Sequence, residues 1–317
     1  MRRIIRRATA LAAAALLVFF GACKGRSSSR EGARSRITVQ ELSPGPGQLA
    51  LPLKTGSVRF AVIGDSGRGD QTQNEVAQQM VAWRQKFPFE FVVMLGDNIY
   101  PPHAPDDFEK KFETPYRSLL DQGVPFYAAI GNHDPETELT YQKFNMEGRR
   151  YYTFRRNERR LEGLAGAGVR FFVLDSRSFD PSQLVWLREE LARSGTDWKI
   201  CYFHHPLYTS GRYTTAARFL RIALEPILIE GNVDVVLTGH EHFYERMHPQ
   251  HGIAYFISGG AGSLRKEDIK RPSSIMARGF DTDFHFMMIE ISGDTLYFQA
   301  ISRTGETIDA GSLARAH

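Results

Sequence analysis

The sequence predicts an α/β fold built on a sheet of mixed strand order, and three observations carry that reading. Short runs rich in Val, Ile, Phe and Tyr alternate with stretches whose apolar residues recur at helical spacing. Polar clusters follow strand after strand, at the edge where open α/β sheets place their sites. The last third switches to a hairpin pattern, so the early parallel order does not hold throughout.

In chain order, the expected strands are 58–63, 89–95, 125–130, 169–174, 198–203, 233–237 and 253–257. Several are apolar almost without interruption, which suits strands covered on both faces. Between the first two, Val76, Met80 and Trp83 mark a helix over 70–86. Asp180 and Pro181 supply the cap and first-turn proline of a second helix. Leu184, Leu187 and Leu191 form its stripe, and Gly195 stops it. A third helix runs over 215–230, bent or broken near Pro226, which has no amide proton to give. Strands at 284–291 and 295–301 flank Ser292-Gly293-Asp294, a hairpin turn.

The ends read differently. Arg2, Arg3, Arg6 and Arg7 precede an apolar run from Ala8 to Phe20, and then Gly21 and Ala22 lead to Cys23. The run is short for a membrane span and has the flanks of an export signal over 1–23. The setting of Cys23 resembles a bacterial lipoprotein cleavage site, where the cysteine takes a lipid and becomes the new N-terminus. The expected location is therefore the bacterial cell envelope, facing the periplasm with a lipid on Cys23, or outside the cell. Residues 24–57, polar at first and then Ser43-Pro44-Gly45-Pro46-Gly47, read as a flexible tether. Residues 304–317 read as a C-terminal tail, which leaves 58–303 as the folded domain.

The formal charge of +4 belongs to the ends: 1–23 and 24–36 each carry a net +4, and the remainder is −4. Nucleic-acid binding is accordingly not expected. A basic tether has some attraction for anionic lipid heads. With Cys23 spent on processing, Cys201 has no partner in the chain and reads as a small buried hydrophobe.

The polar clusters are Gly64-Asp65-Ser66-Gly67, Gly96-Asp97-Asn98-Ile99-Tyr100, Gly131-Asn132-His133-Asp134, Phe203-His204-His205-Pro206 and Gly239-His240-Glu241-His242. Each alone is an ordinary turn or strand end; together they supply oxygen and imidazole donors for two metal ions side by side. Two-metal hydrolases hold their ions about 3.5–4 Å apart, which calls for a bridging carboxylate. Asp97 is the candidate bridge, with Asp65, Tyr100 and His242 around one ion and Asn132, His204 and His240 around the other. The first set has hard anionic oxygens, including a phenol that a trivalent ion can deprotonate. The second is more neutral and suits divalent iron, zinc or manganese.

This set resembles the calcineurin-type metallophosphoesterases and, among them, the purple acid phosphatases in their short, tartrate-resistant-type form. The residues that carry the resemblance are Tyr100 three positions after Asp97, Asn132 in Gly-Asn-His-Asp, His204-His205-Pro206, and Gly-His-x-His followed by Phe243-Tyr244-Glu245-Arg246. The similarity spans about Val58 to Gly262. It implies a sandwich of two mixed β-sheets flanked by α-helices, with ferric iron at Asp65, Asp97, Tyr100 and His242. It also implies a metal-dependent acid phosphatase that hydrolyses phosphate monoesters directly, with water activated on the metal pair. The His-x-Pro pattern assigns His204 as the ligand, and alternation along an extended segment turns His205 away to a supporting or surface role. His133 is implied to bind phosphate and to protonate the leaving group.

One departure matters. The family often carries a second substrate-side histidine nine residues after the ligand at 204, and here that position is Tyr213. Proton donation then falls to His133 alone or to His103, while Arg212 either grips a phosphate oxygen or is a solvated loop residue. The expected partner is a small phosphate ester, bound by a monomer. The rival reading is a phosphodiesterase acting on diesters or nucleotides with two manganese ions. A non-catalytic surface lipoprotein is opposed by the intact set of seven ligands. No Gly-x-Ser-x-Gly elbow supports a serine hydrolase. Gly259-Gly260-Ala261-Gly262 lacks the lysine of a nucleotide loop and reads as a loop near the metals.

Overall fold

The computed structural model describes residues 37–156 and 168–315, so the expected export signal, Cys23 and the first part of the tether lie outside the described residues. Within them, two seven-stranded sheets face each other. In chain order the strands are β1 (Ile37–Glu41), β2 (Val58–Ile63), β3 (Phe91–Met94), β4 (Phe126–Ala128), β5 (Tyr152–Arg156), β6 (Val169–Val173) and β7 (Trp198–Phe203). They continue with β8 (Val235–Thr238), β9 (Tyr244–Met247), β10 (Ala254–Ser258), β11 (Met276–Phe280), β12 (His285–Ser292), β13 (Thr295–Ser302) and β14 (Thr307–Arg315). The α-helices are α1 (Gln71–Lys86), α2 (Thr114–Leu120), α3 (Pro181–Ala192) and α4 (Thr214–Glu230).

The first sheet has the order β1-β14-β13-β12-β2-β3-β4 and the second β11-β9-β10-β8-β7-β6-β5. Strands β2, β3 and β4 are parallel, as are β6, β7, β8 and β10, while β1, β14, β13 and β12 of the first sheet and β11, β9 and β5 of the second pair antiparallel with their neighbours. This is the expected α/β sandwich of two mixed sheets. The β12–β13 hairpin turns through Gly293, whose φ of +57° suits a residue without a Cβ.

Side-chain alternation on doubly covered strands builds two cores. On β6, Val169, Phe171 and Val173 point between the sheets, whereas Phe172 packs outward with Leu187 and Leu191 of α3 and Leu224, Ile227 and Leu228 of α4. Between the sheets the rings interlock: Phe171 lies 5.3 Å from Phe60, 5.6 Å from Phe91 and 4.7 Å from Phe154. Such pairs add about 0.5–1.5 kcal/mol each beyond their burial. Helix α1 presents Val76, Met80 and Trp83 to the first core and is capped by Asp70, which accepts the Gln73 amide at 3.0 Å. Asp180 likewise caps α3 through the Gln183 amide at 2.9 Å.

Three expectations need correction. Helix α4 runs unbroken through Pro226. The carbonyl deprived of its hydrogen bond there belongs to Ile222, which is 65% exposed, so water reaches it. The tether ends earlier than 57: β1 pairs with β14 along its length, Leu51 is buried, and the Ala50 and Leu53 amides donate to Gln299 and Glu290 at 2.9 and 2.8 Å. The tail is also part of the fold, because β14 lies inside the first sheet between β13 and β1. Its pattern hid it, since Asp309, Gly311 and Ser312 interrupt the apolar residues; Asp309 is buried against Arg246 and Tyr244 of the facing sheet.

Candidate metal centre

The parallel strands of both sheets end at one place. Asp65 follows β2, Asp97 to Tyr100 follow β3, and Asn132 and His133 follow β4; from the second sheet, His204 follows β7 and His240 to His242 follow β8. Turning so sharply bends the backbone into unusual regions. Asp65, Asp97 and His240 have φ of 55°, 52° and 66°, a left-handed conformation that side chains adopt at a cost and that clusters at functional sites. Gly131 must lack a side chain, because a Cβ there would overlap the amide and carboxylate of Asp97.

The donor atoms form two groups. Tyr100 Oη lies 3.2 Å from Asp65 Oδ1 and 3.1 Å from His242 Nε2, and those two are 3.3 Å apart. His204 Nε2 lies 3.1 Å from Asn132 Oδ1, 3.1 Å from His240 Nδ1 and 3.4 Å from Asp97 Oδ1. Asp65, Asp97 and His204 bring ligand atoms within 4.8 Å of one another, which joins the groups. Bonds of about 2.0–2.1 Å place neighbouring ligands of one ion about 3 Å apart, so both groups fit a metal ion. The backing hydrogen bonds fit as well. The Leu95 carbonyl accepts from His204 Nδ1 at 3.0 Å, which leaves Nε2 with its lone pair toward the group. The remaining Asp65 oxygen accepts the His240 amide at 2.8 Å, and Asp97 Oδ1 accepts the His133 amide at 2.9 Å.

The electrostatics follow. Burial opposes ionisation of Asp97, but the adjacent His204 charge and the bonds from His204 and His133 outweigh it and hold the carboxylate below its ordinary range. Burial likewise opposes a charge on His204, yet Asp97 and Asp65 push its pKa up to about 9. A proton on His204 thus holds the place of a cation, and metal binding releases it. Tyr100 is pushed far up by burial and then by Asp65 and Asp97, so the phenol stays neutral without a strongly polarising cation. Burial, reinforced by His204 and His205, lowers His240 to about 2 and leaves that imidazole neutral.

The other expected residues are dispersed around this centre. His133 is exposed beside it, its ring 4.9 Å from that of Tyr100. His103 spends Nε2 on the backbone carbonyls of His133 and Ile99, at 2.8 and 3.3 Å, so it braces His133. The guanidinium of Arg212 is half exposed and forks onto Asp268 at 2.9–3.1 Å. Tyr213 stacks against His240 at 4.3 Å between ring centres. Alternation does not turn His205 away: its ring lies 4.4 Å from that of His240.

Sequence reasoning missed the residues that brace the loops. Asp134 accepts from the Gly131 and Ile99 amides at 2.7 and 2.9 Å and from Asn98 Nδ2 at 3.2 Å, which ties two donor loops together. Arg68 lies 4.1 Å above the Tyr100 ring and donates to Ser263 at 2.9 Å. Arg265 reaches the His240 carbonyl at 3.3 Å and lies 3.4 Å from His242 Nε2. The one available signal was its position just after the 259–262 glycine run, whose Gly259 touches Asp65 and Glu241.

The fold and the donor set define a metal-dependent phosphoester hydrolase. The chain belongs to the calcineurin-like phosphoesterase family, whose model matches residues 58–244. It is 28% identical over 247 residues to purple acid phosphatase 7 of Arabidopsis thaliana, covering 68% of this chain and 74% of that protein. It is 22% identical over 301 residues to tartrate-resistant acid phosphatase type 5 of Homo sapiens, covering 82% and 92%. Its fold matches GAP50, the anchor in the inner membrane complex of Plasmodium, with a TM-score of 0.72 at 19% identity, over 82% of this chain and 90% of that one.

Proposed function

We propose that this protein is an acid phosphatase that hydrolyses phosphate monoesters at a dinuclear metal centre. Asp65, Tyr100 and His242 would hold ferric iron, Asn132, His204 and His240 a divalent iron, zinc or manganese ion, and Asp97 would bridge them. The observation that carries this reading is the convergence of a phenol, a carboxylate and an imidazole within 3.1–3.3 Å. Bound there, the two ions would supply Lewis acidity toward water and the phosphoryl group. The chain's own residues do the rest. The His133 amide donates to Asp97, and the exposed His133, braced by His103, would hold a phosphoryl oxygen and protonate the departing alkoxide. An acidic optimum is expected, because the Lewis acidity of a trivalent ion held by Asp65, Tyr100 and His242 would exceed that of a divalent one.

Metal analysis with a visible spectrum tests this reading. The native protein is expected to hold iron and a second metal and to be purple from tyrosinate-to-iron charge transfer, and Tyr100→Phe is expected to abolish the colour. A preparation still purple after that change would refute the assignment. Paired assays on a monoester and a diester separate this reading from the diesterase. The fold likeness to the anchor GAP50 raises an anchoring role, but the intact donor set favours catalysis. We also infer export with a lipid on Cys23 and a monomeric state. Mass spectrometry of the mature N-terminus and light scattering check these.

A further inference from the structure

We propose that His205 is a phosphate-binding residue, an Nε2–H donor to a phosphoryl oxygen on the Asn132/His204/His240 side. This rests on the phosphatase reading and adds a substrate contact to it. The half-buried ring stands 4.9 Å from His204 and 4.4 Å from His240 between centres. One of its nitrogens lies within 4.8 Å of the donor nitrogens of both.

Ser176 decides which way the ring acts. Its buried Oγ accepts the His205 backbone amide at 2.9 Å and lies 2.9 Å from Nδ1 of the same residue. A hydroxyl that receives the amide proton keeps its own proton and a second lone pair, and in the proposed arrangement it gives that proton to Nδ1. The imidazole proton then belongs on Nε2, which has no protein partner among the described residues. That tautomer offers the centre an N–H and no lone pair, so His205 suits an anion and not a metal ion. The ring is also confined, with His204 and His240 against it and Tyr213 on His240 beyond. A placed donor of this kind strengthens binding of a charged oxygen by about 10-fold to 100-fold.

The test is titration of inorganic phosphate into metal-loaded protein by calorimetry, with metal content measured on the same samples. His205→Phe keeps a ring and removes the donor, and it is expected to retain both metals while binding phosphate at least about 10-fold more weakly. His205→Gln restores an N–H and should recover most of the loss. Ser176→Ala frees the tautomer and should fall between. Loss of one metal equivalent in His205→Phe would overturn the proposal in favour of a ligand, and unchanged phosphate affinity would overturn it in favour of packing. If the Phe variant does not fold, wild-type phosphate affinity in Ser176→Ala would overturn the assigned tautomer and with it the proposal. A wild-type protein that retains no metal sinks the phosphatase reading instead, and metal analysis detects that before phosphate is added.

Discussion

Removing the Asp309 carboxylate should destabilise the fold far more than its place near the chain's end suggests. Asp309 sits on β14 of the first sheet and meets Arg246 of β9 in the second, at 2.7 Å from Nε and 3.2 Å from Nη2. Tyr244 Oη donates to the same carboxylate at 2.7 Å. The side chains of Arg246 and Asp309 are only 4% and 6% exposed. Without Asp309, the buried guanidinium keeps Glu41 as its ion-pair partner among the described residues, and that carboxylate is 72% exposed and holds it weakly. Stripping one partner from a buried pair costs about 3–5 kcal/mol. For a chain of this size each kcal/mol moves the melting temperature by about 2–4 °C, so Asp309→Ala should melt about 6–20 °C lower. The assay is thermal unfolding by circular dichroism at fixed metal concentration, because ligation adds its own stability. Replacing both partners by apolar residues, Arg246→Met with Asp309→Leu, should recover much of the loss. A single variant melting within about 2 °C of the native protein would refute the claim that this pair clamps the sheets.

Two further outcomes are expected. Glu245 is buried against the amide and hydroxyl of Ser210, and burial pushes its pKa up to about 7. The folded state therefore binds this proton more tightly than the unfolded chain. The stabilisation is full below about pH 4.3 and is lost as pH rises through 7, on the order of 3 kcal/mol. Glu245→Gln lacks that loss, so paired melts at pH 5 and pH 8 should move in its favour at the higher pH; parallel shifts would count against the assignment. Arg212 is committed to Asp268, so Arg212→Ala should leave KM for a monoester within about two-fold of native, and a ten-fold rise would show that the guanidinium does reach substrate.

The α/β order and the polar clusters at the strand ends were legible for one physical reason, whereas the two-sheet sandwich was implied by the family resemblance. Strands covered on both faces are apolar almost throughout, so a run such as Phe91–Met94 announces itself, and the polar residues crowded after it stand out against it. What stayed hidden was apolar by half or less. β1 buries Ile37 and exposes most of the rest, as an edge strand does, and β14 carries a buried aspartate whose partner is 63 residues away in sequence. A local pattern holds no trace of a charge neutralised from the opposite sheet.

The same limit explains the errors at the site. The orientation of His205 was inferred from alternation along an extended chain, which holds through β7 but not beyond its last residue, Phe203. Past that residue the chain answers to its contacts, and Ser176, from the segment after β6, takes hold of both the backbone and the ring of His205. Arg212 stood open between a phosphate contact and a solvated loop residue, and its charge could not show that Asp268, 56 residues on, meets the guanidinium. Residue type and spacing therefore identify donors that gather at one centre, because many of them must converge and each cluster leaves its mark. They do not identify which of two adjacent histidines faces the centre or which arginine is free, since one distant side chain settles each of those questions.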